Sequence, residues 1–498
     1  MTWRPGDRIS SADDYRASLR GRDLRVHLKG ERVSEPGDHP VIAPSINAMA
    51  ETYELADTDP SLASATSGLI DEQVNRFLHV TEDVSDVVAQ NQMQRRLGQR
   101  TGTCFQRCVG MDAINALFSV TFDIDAASGT SYHQRFRTWL ADVQRQNLVV
   151  GGAMTDPKGD RSLPPHKQHD PDLFVHVVGE DADGIVIRGA KAHQTGALNS
   201  HWLLVMPTQR LGESDSDYAV VAAVPVDAPG ITYIYGRQAS DDRAYGSDID
   251  AGNACYAGQE VMVVLDDVRV PEEHVFMQGE WQFAADLVER FTAYHRRSYV
   301  CKSGVGDVLI GAAALAAQLN GVDKASHVRD KLVEMVHLNE TIYAAGIAAS
   351  YESFERPAGN FENDGLLANI CKHNVTRFPY EIGRLAQDLA GGLLVTMPGD
   401  EEFSDAEIGP VLDKYLSTGL ERPTEERRRV LRLIENMTMG RNAVGYLTES
   451  LHGAGSPQAQ RVQIERQADL AHKRSLARRL AGITTPEAAD TPATNSQP

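Results

Sequence analysis

The stretch TCFQRC (residues 103–108) places Cys104 and Cys108 four residues apart in a chain that has only five cysteines. If the stretch is helical, that spacing puts both thiols on one face. Two thiolates on one face can hold a soft metal or an iron–sulfur cluster. Two buried cysteines that pack as small apolar side chains would give the same pattern, and the pair alone does not separate the readings. A tetrahedral ion or a cluster needs further ligands. The segment AYHRRSYVCK (293–302) offers His295 and Cys301. Cys255 and Cys371 stand alone and read as packing residues.

Three other constellations carry chemistry. AMTDPKGDR (153–161) mixes turn formers with Thr155, Asp156, Lys158 and Arg161. Such a loop can cradle a phosphate, and it can equally be a surface turn. In KAHQTGALNSHW (191–202), His193, Gln194 and Thr195 can hydrogen-bond a ring edge or cap a strand. TESLHGAGSPQAQR (448–461) contains Glu449 and a small-residue run, Gly453, Ala454 and Gly455, that allows close backbone approach to a ligand. Glu260, in YAGQE, reads by itself as a residue at a strand edge.

These residues must be positioned by three zones. Residues 1–145 are mostly helical by pattern: DEQVNRFLHVTEDVSDVVAQNQMQRRLGQR (71–100) and VGMDAINALFSV (109–120) repeat apolar residues at three and four. Residues 146–280 alternate short β-rich runs with Gly, Asp and Pro, which predicts a β-barrel or sandwich. LFVHVV, GEDADG and IVIRGAKA there read as strand, acidic turn and strand. Residues 281–483 return to long apolar helices, as in a bundle. The tail 484–498, rich in Pro, Thr and Ala, reads as disordered. The predicted class is α+β: an N-terminal helical domain, a central β-barrel domain and a C-terminal helical bundle.

Composition narrows the function. The 498 residues carry a formal net charge of −20, which argues against nucleic acid as a partner. No apolar run of membrane-span length and no secretory signal is evident, so no membrane partner is expected. The odd, scattered cysteines do not form a disulfide framework, and a cytoplasmic location is expected. The basic stretch ERRRVLRLIENM (426–437) reads as a solvated helix face.

From Asp14 to Ile483 the chain resembles the 4-hydroxybutyryl-CoA dehydratases, which also carry vinylacetyl-CoA isomerase activity. They form a family within the 4-hydroxyphenylacetate 3-monooxygenase flavoproteins, on an acyl-CoA-dehydrogenase-like fold. The likeness runs in order through HPVIAPSINAMAETYELA, TCFQRCVGMDA, GAMTDPKGDR, RGAKAHQTGALNSH, YHRRSY, KASHVRDKLVEM, TRFPYEI, AGGLLVTMP and TESLHGAGSPQAQR. It implies FAD and a [4Fe–4S] cluster held by Cys104, Cys108, His295 and Cys301. It further implies radical dehydration of an acyl-CoA substrate, 4-hydroxybutyryl-CoA. His295, Glu260, Tyr299, Glu449, Lys302 and Gln106 would be the active-site residues. Ala153, Thr155, Lys158, Arg161, His193, Gln194 and Thr195 would wrap the flavin. Gly453, Ala454 and Gly455 would reach it across a subunit interface of a homotetramer.

One departure stands out. The family pattern has the cysteine seven residues after the histidine; here Val300 replaces two glycines and Cys301 follows His295 by six. On a regular helix one lost residue turns the thiol by about 100°. The alternative reading is a cluster-free FAD-dependent aromatic hydroxylase of the same superfamily. A non-catalytic acyl-CoA or partner-binding relative is disfavoured by His295, Tyr299, Glu260 and Glu449.

Overall fold

The computed structural model describes Arg4 and residues 6–237, 248–417 and 424–485. The expected disordered tail lies outside the described residues from 486 onward.

Four helices dominate the first zone: Ala43–Thr58, Val84–Thr101, Cys108–Ser128 and Tyr132–Gln146. Their ends follow from local chemistry. Asp83 caps the second helix by accepting from the Asp86 backbone N–H at 2.9 Å. Gly102, Gly129 and Asn147 then close the second, third and fourth helices in the left-handed region. The zone also contains strands: Arg25–Leu28 pairs antiparallel with Glu31–Val33 and parallel with Ile231–Tyr235. The N-terminal segment therefore edges the central sheet.

The central strands form a six-stranded and a four-stranded sheet. Among the described residues no hydrogen-bonded ring closes them into the barrel that was one expectation. The reason lies in the pairing. Val150–Ala153, Trp202–Val205, Val220–Pro225 and Val275–Gln278 make the smaller sheet, while the long strands Gly184–Thr195 and Glu260–Pro271 make the heart of the larger one. The expected hairpin is present: His176–Asp181 pairs antiparallel with Gly184–Thr195.

The last zone is helical: Ala284–Ser298, Cys301–Leu319, Ser326–Tyr351, Gly365–Val375, Phe378–Ala390 and Thr424–Thr438 are its main helices. The stretch Trp281–Leu319 is apolar and long enough to cross a membrane, but 67% of its most apolar window is buried inside the protein. Helix Thr424–Thr438 corrects the solvated-face expectation. Its Arg428 is buried and pairs with Asp400 and with Asp250 at 3.2 Å.

Two helix crossings carry the site. Val84–Thr101 crosses Cys301–Leu319 at glycines: a Cβ on Gly98 would lie 2.4 Å from the Cys301 carbonyl oxygen, and one on Gly304 would lie 2.0 Å from that of Arg95. Only glycine permits this approach. It sets Cys301 against the helix whose C-terminal end leads into Cys104. Separately, Cys108–Ser128 packs along Ala284–Ser298.

Candidate active site

Cys104 lies in the loop between two helices, and Cys108 is the first residue of the second. The pair is thus not on one helix face as the spacing suggested. Gln106, at φ 67°, turns the chain in between. Cys104, Cys108 and Cys301 are all buried. Burial pushes the thiols of Cys104 and Cys108 well up, and Cys301 up to about 11. The thiols also raise one another: Cys301 acts on both Cys104 and Cys108. Cys301 and Cys108 share one small apolar cluster with Phe105 and Met111. Cys255 is exposed, and Cys371 is buried with its thiol donating to the Ile342 carbonyl at 3.5 Å.

The shortened His-to-Cys spacing is absorbed by a break. Helix Ala284–Ser298 stops, Tyr299 and Val300 form a turn, and a new helix starts at Cys301. Val300 N–H bonds to Arg297 O at 3.2 Å, Lys302 N–H to Tyr299 O at 3.0 Å, and Ser303 N–H to Val300 O at 2.9 Å. These three-residue closures wind the chain about 20° per residue more tightly than an α-helix. That winding works against the missing residue. His295 lies in the last turn of the first helix, with Nδ1 2.8 Å from Asp112 Oδ2. Its ring stacks on Phe291 and meets Tyr299 edge-on, with centroids 5.4 Å apart. Among the described residues no three His, Cys, Asp or Glu side chains converge as a single metal ion requires.

Two carboxylates and a lysine line the same corner. The Cys104 thiol donates to Glu449 Oε1 at 3.6 Å, and Lys302 Nζ lies 3.1 Å from Glu449 Oε2. Lys302 is fully buried and also donates to the Gly445 carbonyl at 2.6 Å. Although burial opposes its charge, Glu449 and the thiols of Cys301 and Cys104 push its ammonium well above the usual lysine range. Glu260 opens the strand Glu260–Pro271 and is half-buried, accepting from the Thr195 hydroxyl at 2.6 Å. Burial first, and Glu449 second, push its carboxyl well above the ordinary carboxylate range. Tyr299 is buried between two ammonium groups, Lys302 at 5.5 Å and Lys372 at 4.4 Å from its ring centroid. Gly453 sits directly against it, since a Cβ there would lie 1.7 Å from the Tyr299 hydroxyl.

Gln106 is placed differently from the expected role. Its amide is filled: Nε2 donates to the carbonyls of Ser45 (3.0 Å) and Ala257 (3.1 Å), and Oε1 accepts from Asn199 at 2.9 Å. It braces the loop from behind. Gln194 is similarly committed, accepting from Met154 N–H at 3.2 Å and donating to Thr155 O at 3.0 Å. It fixes the loop after Val150–Ala153, whose Ala153 is fully buried. Lys158 and Arg161 on that loop are exposed, and among the described residues neither has an ion-pair partner. Burial and then Arg161 depress the Lys158 ammonium. His193, at φ 56°, is depressed by burial and then by Lys158 and His452. The segment Glu449–Gly455 of the same chain therefore bridges the thiol corner and this cationic loop. Arg296 Nε holds it by donating to the Ala454 carbonyl at 3.1 Å.

Comparison with known proteins decides the family. Residues 11–277 match the 4-hydroxyphenylacetate 3-hydroxylase N-terminal family and residues 284–482 its C-terminal family. The chain belongs to the 4-hydroxyphenylacetate 3-hydroxylase family. Within it, a 4-hydroxybutyryl-CoA dehydratase/vinylacetyl-CoA-Δ-isomerase from Clostridium aminobutyricum is 53% identical over 489 residues, spanning 95% of this chain and 100% of the relative. The solved structure of an oxygen-tolerant archaeal 4-hydroxybutyryl-CoA dehydratase from N. maritimus superposes with a TM-score of 0.93 at 60% identity, covering 96% of each chain. The FAD-bound oxygenase component of 4-hydroxyphenylacetate 3-monooxygenase shares the fold at 22% identity, with a TM-score of 0.81 over 95% and 98% of the two chains.

Within this 3-hydroxylase-family fold, two residues beside the site escaped the sequence reading. Asp112 anchors His295, and Lys372 contacts Tyr299 and donates to the Ser450 carbonyl at 2.6 Å. Asp112 did carry a signal: it follows Cys108 by four on one helix, so both share a face. Lys372 carried none, because the helix pattern of Gly365–Val375 does not show which neighbour covers it.

Proposed function

We propose that this chain dehydrates 4-hydroxybutyryl-CoA to crotonyl-CoA, with vinylacetyl-CoA Δ-isomerase activity. It would use FAD and a [4Fe–4S] cluster held by Cys104, Cys108, Cys301 and His295. The observation that carries the reading is the meeting of three buried thiols, brought from residues 104–108 and 301, beside Glu449 and Lys302. The end-to-end 53% identity to the clostridial dehydratase supports it.

The residues fit both groups. Buried thiols among carboxylates stay protonated until a cation replaces the protons, which is what iron does. A cluster takes one ligand per iron corner, so its ligands need not converge on one point as those of a single ion must. Unpaired Lys158 and Arg161 on the loop beside His193 suit the flavin phosphates.

When bound, FAD supplies one-electron exchange and the cluster supplies a Lewis-acidic iron for the leaving hydroxyl. Such help is required because C3–H lies β to the thioester carbonyl and is not acidic, whereas C2–H is. The chain manages the protons. Nε2 of His295, the nitrogen opposite the Asp112 contact, is placed to accept one. Glu260, whose carboxyl burial and then Glu449 push well above the ordinary range, is the carboxyl placed to give a proton to the departing oxygen. Lys302 balances the negative charge of Glu449 and of the thiolates around it. Tyr299, buried beside His295, offers a hydroxyl donor.

A homotetramer with flavin sites at subunit interfaces completes the proposal, as does a cytoplasmic setting.

Anaerobic purification with iron, sulfide and visible-spectrum analysis tests the function. About four irons per subunit with FAD, and turnover of 4-hydroxybutyryl-CoA, are expected. FAD without iron after anaerobic reconstitution sinks the proposal and leaves the aromatic hydroxylase.

A further inference from the structure

We propose that Asp112 is a positioning residue that presents His295 to the thiol corner as its Nδ1–H tautomer, with Nε2 as the atom offered. The inference rests on the cluster reading above but is testable apart from it.

Three observations carry it. Asp112 is fully buried, and both its oxygens are engaged: Oδ2 meets His295 Nδ1 at 2.8 Å, and Oδ1 accepts from the Ser298 hydroxyl at 2.8 Å. Arg297 lies 3.7 Å from Oδ1 and is itself pinned, donating to Val87 O at 2.9 Å and to Gln90 Oε1 at 2.8 Å. This buried carboxylate is thus oriented from two directions and cannot follow the imidazole if the ring swings. Finally, Asp112 stands one turn beyond Cys108 on the same helix face. The helix that supplies one thiol therefore also sets the angle of the histidine.

An imidazole that donates from one nitrogen to a carboxylate offers its other nitrogen as a lone pair. That nitrogen can ligate iron or take a proton. No other side chain among the described residues hydrogen-bonds the ring.

The test needs no activity. In metal-free full-length protein, the ring 15N signals of His295, assigned by difference against His295→Gln, are expected to report the Nδ1–H tautomer. An Nε2–H tautomer in the wild type overturns the proposal, and this measurement stands even if Asp112→Asn fails to fold. In reconstituted protein, Asp112→Asn is expected to release iron to a chelator roughly 10–100-fold faster, the usual size of a lost outer partner. Ser298→Ala, which removes one of the two groups that orient the carboxylate and spares the His–Asp bond, is expected to release iron faster than wild type and slower than Asp112→Asn. Equal rates in Asp112→Asn and wild type overturn the proposal. A wild type that binds no iron removes the cluster reading instead, while the tautomer still decides the role of Asp112.

Discussion

The thiol corner and the cationic loop after Val150–Ala153 lie within reach of one chain segment, Glu449–Gly455, yet they are built on opposite plans. In the corner the charged and imidazole groups are tied to partners before any ligand arrives: Lys302 to Glu449 and Gly445, His295 to Asp112, and Cys104 to Glu449. On the loop, Lys158 and Arg161 are exposed and unpaired, Arg161 works against the Lys158 charge, and Lys158 and His452 work against that of His193. The corner is a prebuilt cage; the loop is a set of charges waiting for an anion. Preorganisation suits chemistry, where a small misplacement is costly. Uncompensated charge suits capture of a phosphate, which arrives with its own counter-charge.

The largest effect is expected inside the cage. Cys108→Ala should remove a ligand and cut dehydration by more than about a hundredfold, with iron lost in direct metal analysis. Cys371→Ala is the contrast. Its thiol is just as buried but donates to a backbone carbonyl, so iron should remain while stability falls by roughly 1 kcal/mol. If both variants behave alike, burial rather than ligation explains the cysteines.

Next comes the carboxylate pair. Glu449 helps to raise the Glu260 carboxyl, so Glu449→Gln removes a repelling charge and lets Glu260 ionise at lower pH. A step that needs protonated Glu260 is lost as pH rises through its raised value. The alkaline limb of the pH–rate profile should therefore move to lower pH by roughly one unit. A limb that stays in place means that another group carries that proton.

Much of this was legible in the sequence, though not the way the parts meet. Residue types made Cys104, Cys108, His295 and Cys301 candidates, the resemblance alone joined them into one ligand set, and the periodicities marked the long helices and the central strands. What stayed hidden was three-dimensional. The turn at Tyr299–Val300 depends on backbone closures that no residue type announces. The approach of Cys301 depends on Gly98 meeting Gly304 from 206 positions away in the chain. The resemblance placed Gln106 in the active site, and the carbonyls of Ser45 and Ala257 occupy its amide. Strands of three and four residues at Arg25–Val33 are too short to show an alternation. They are strands because Ile231–Tyr235 offers a free edge.

Lys372 sharpens the contrast from the buried side, because it is the cage residue with the least compensation. Its ammonium is fully buried, held by the Ser450 carbonyl and the Tyr299 ring, and no carboxylate pairs with it among the described residues. Burial, then Lys302 and Arg296, depress it to about 7. An unfolded lysine titrates near 10.4, so between these values the folded chain binds fewer protons. The contribution of Lys372 to stability should thus be most favourable above about pH 10 and fall as pH drops toward 7. Lys372→Met should remove that slope and stabilise the protein at pH 7 by roughly 2 kcal/mol, measured by denaturant unfolding at pH 7 and 9.5.

The smallest expected change in the protein itself lies on the loop. Lys158→Gln with Arg161→Gln removes two exposed charges that have no protein partner, so the FAD-free chain should keep its unfolding free energy within about 0.5 kcal/mol. FAD binding should tell a different story. Each charge-assisted contact to a phosphate contributes roughly 1.5–3 kcal/mol, so losing both should weaken FAD by well over tenfold. The salt dependence of binding should shrink with it, because screening acts on charges that are no longer there. Titration of the apo-protein with FAD at two salt concentrations measures both. Unchanged affinity in the double variant would place the flavin phosphates elsewhere. The two unpaired cations would then be ordinary surface charge, and the corner would lose its counterpart.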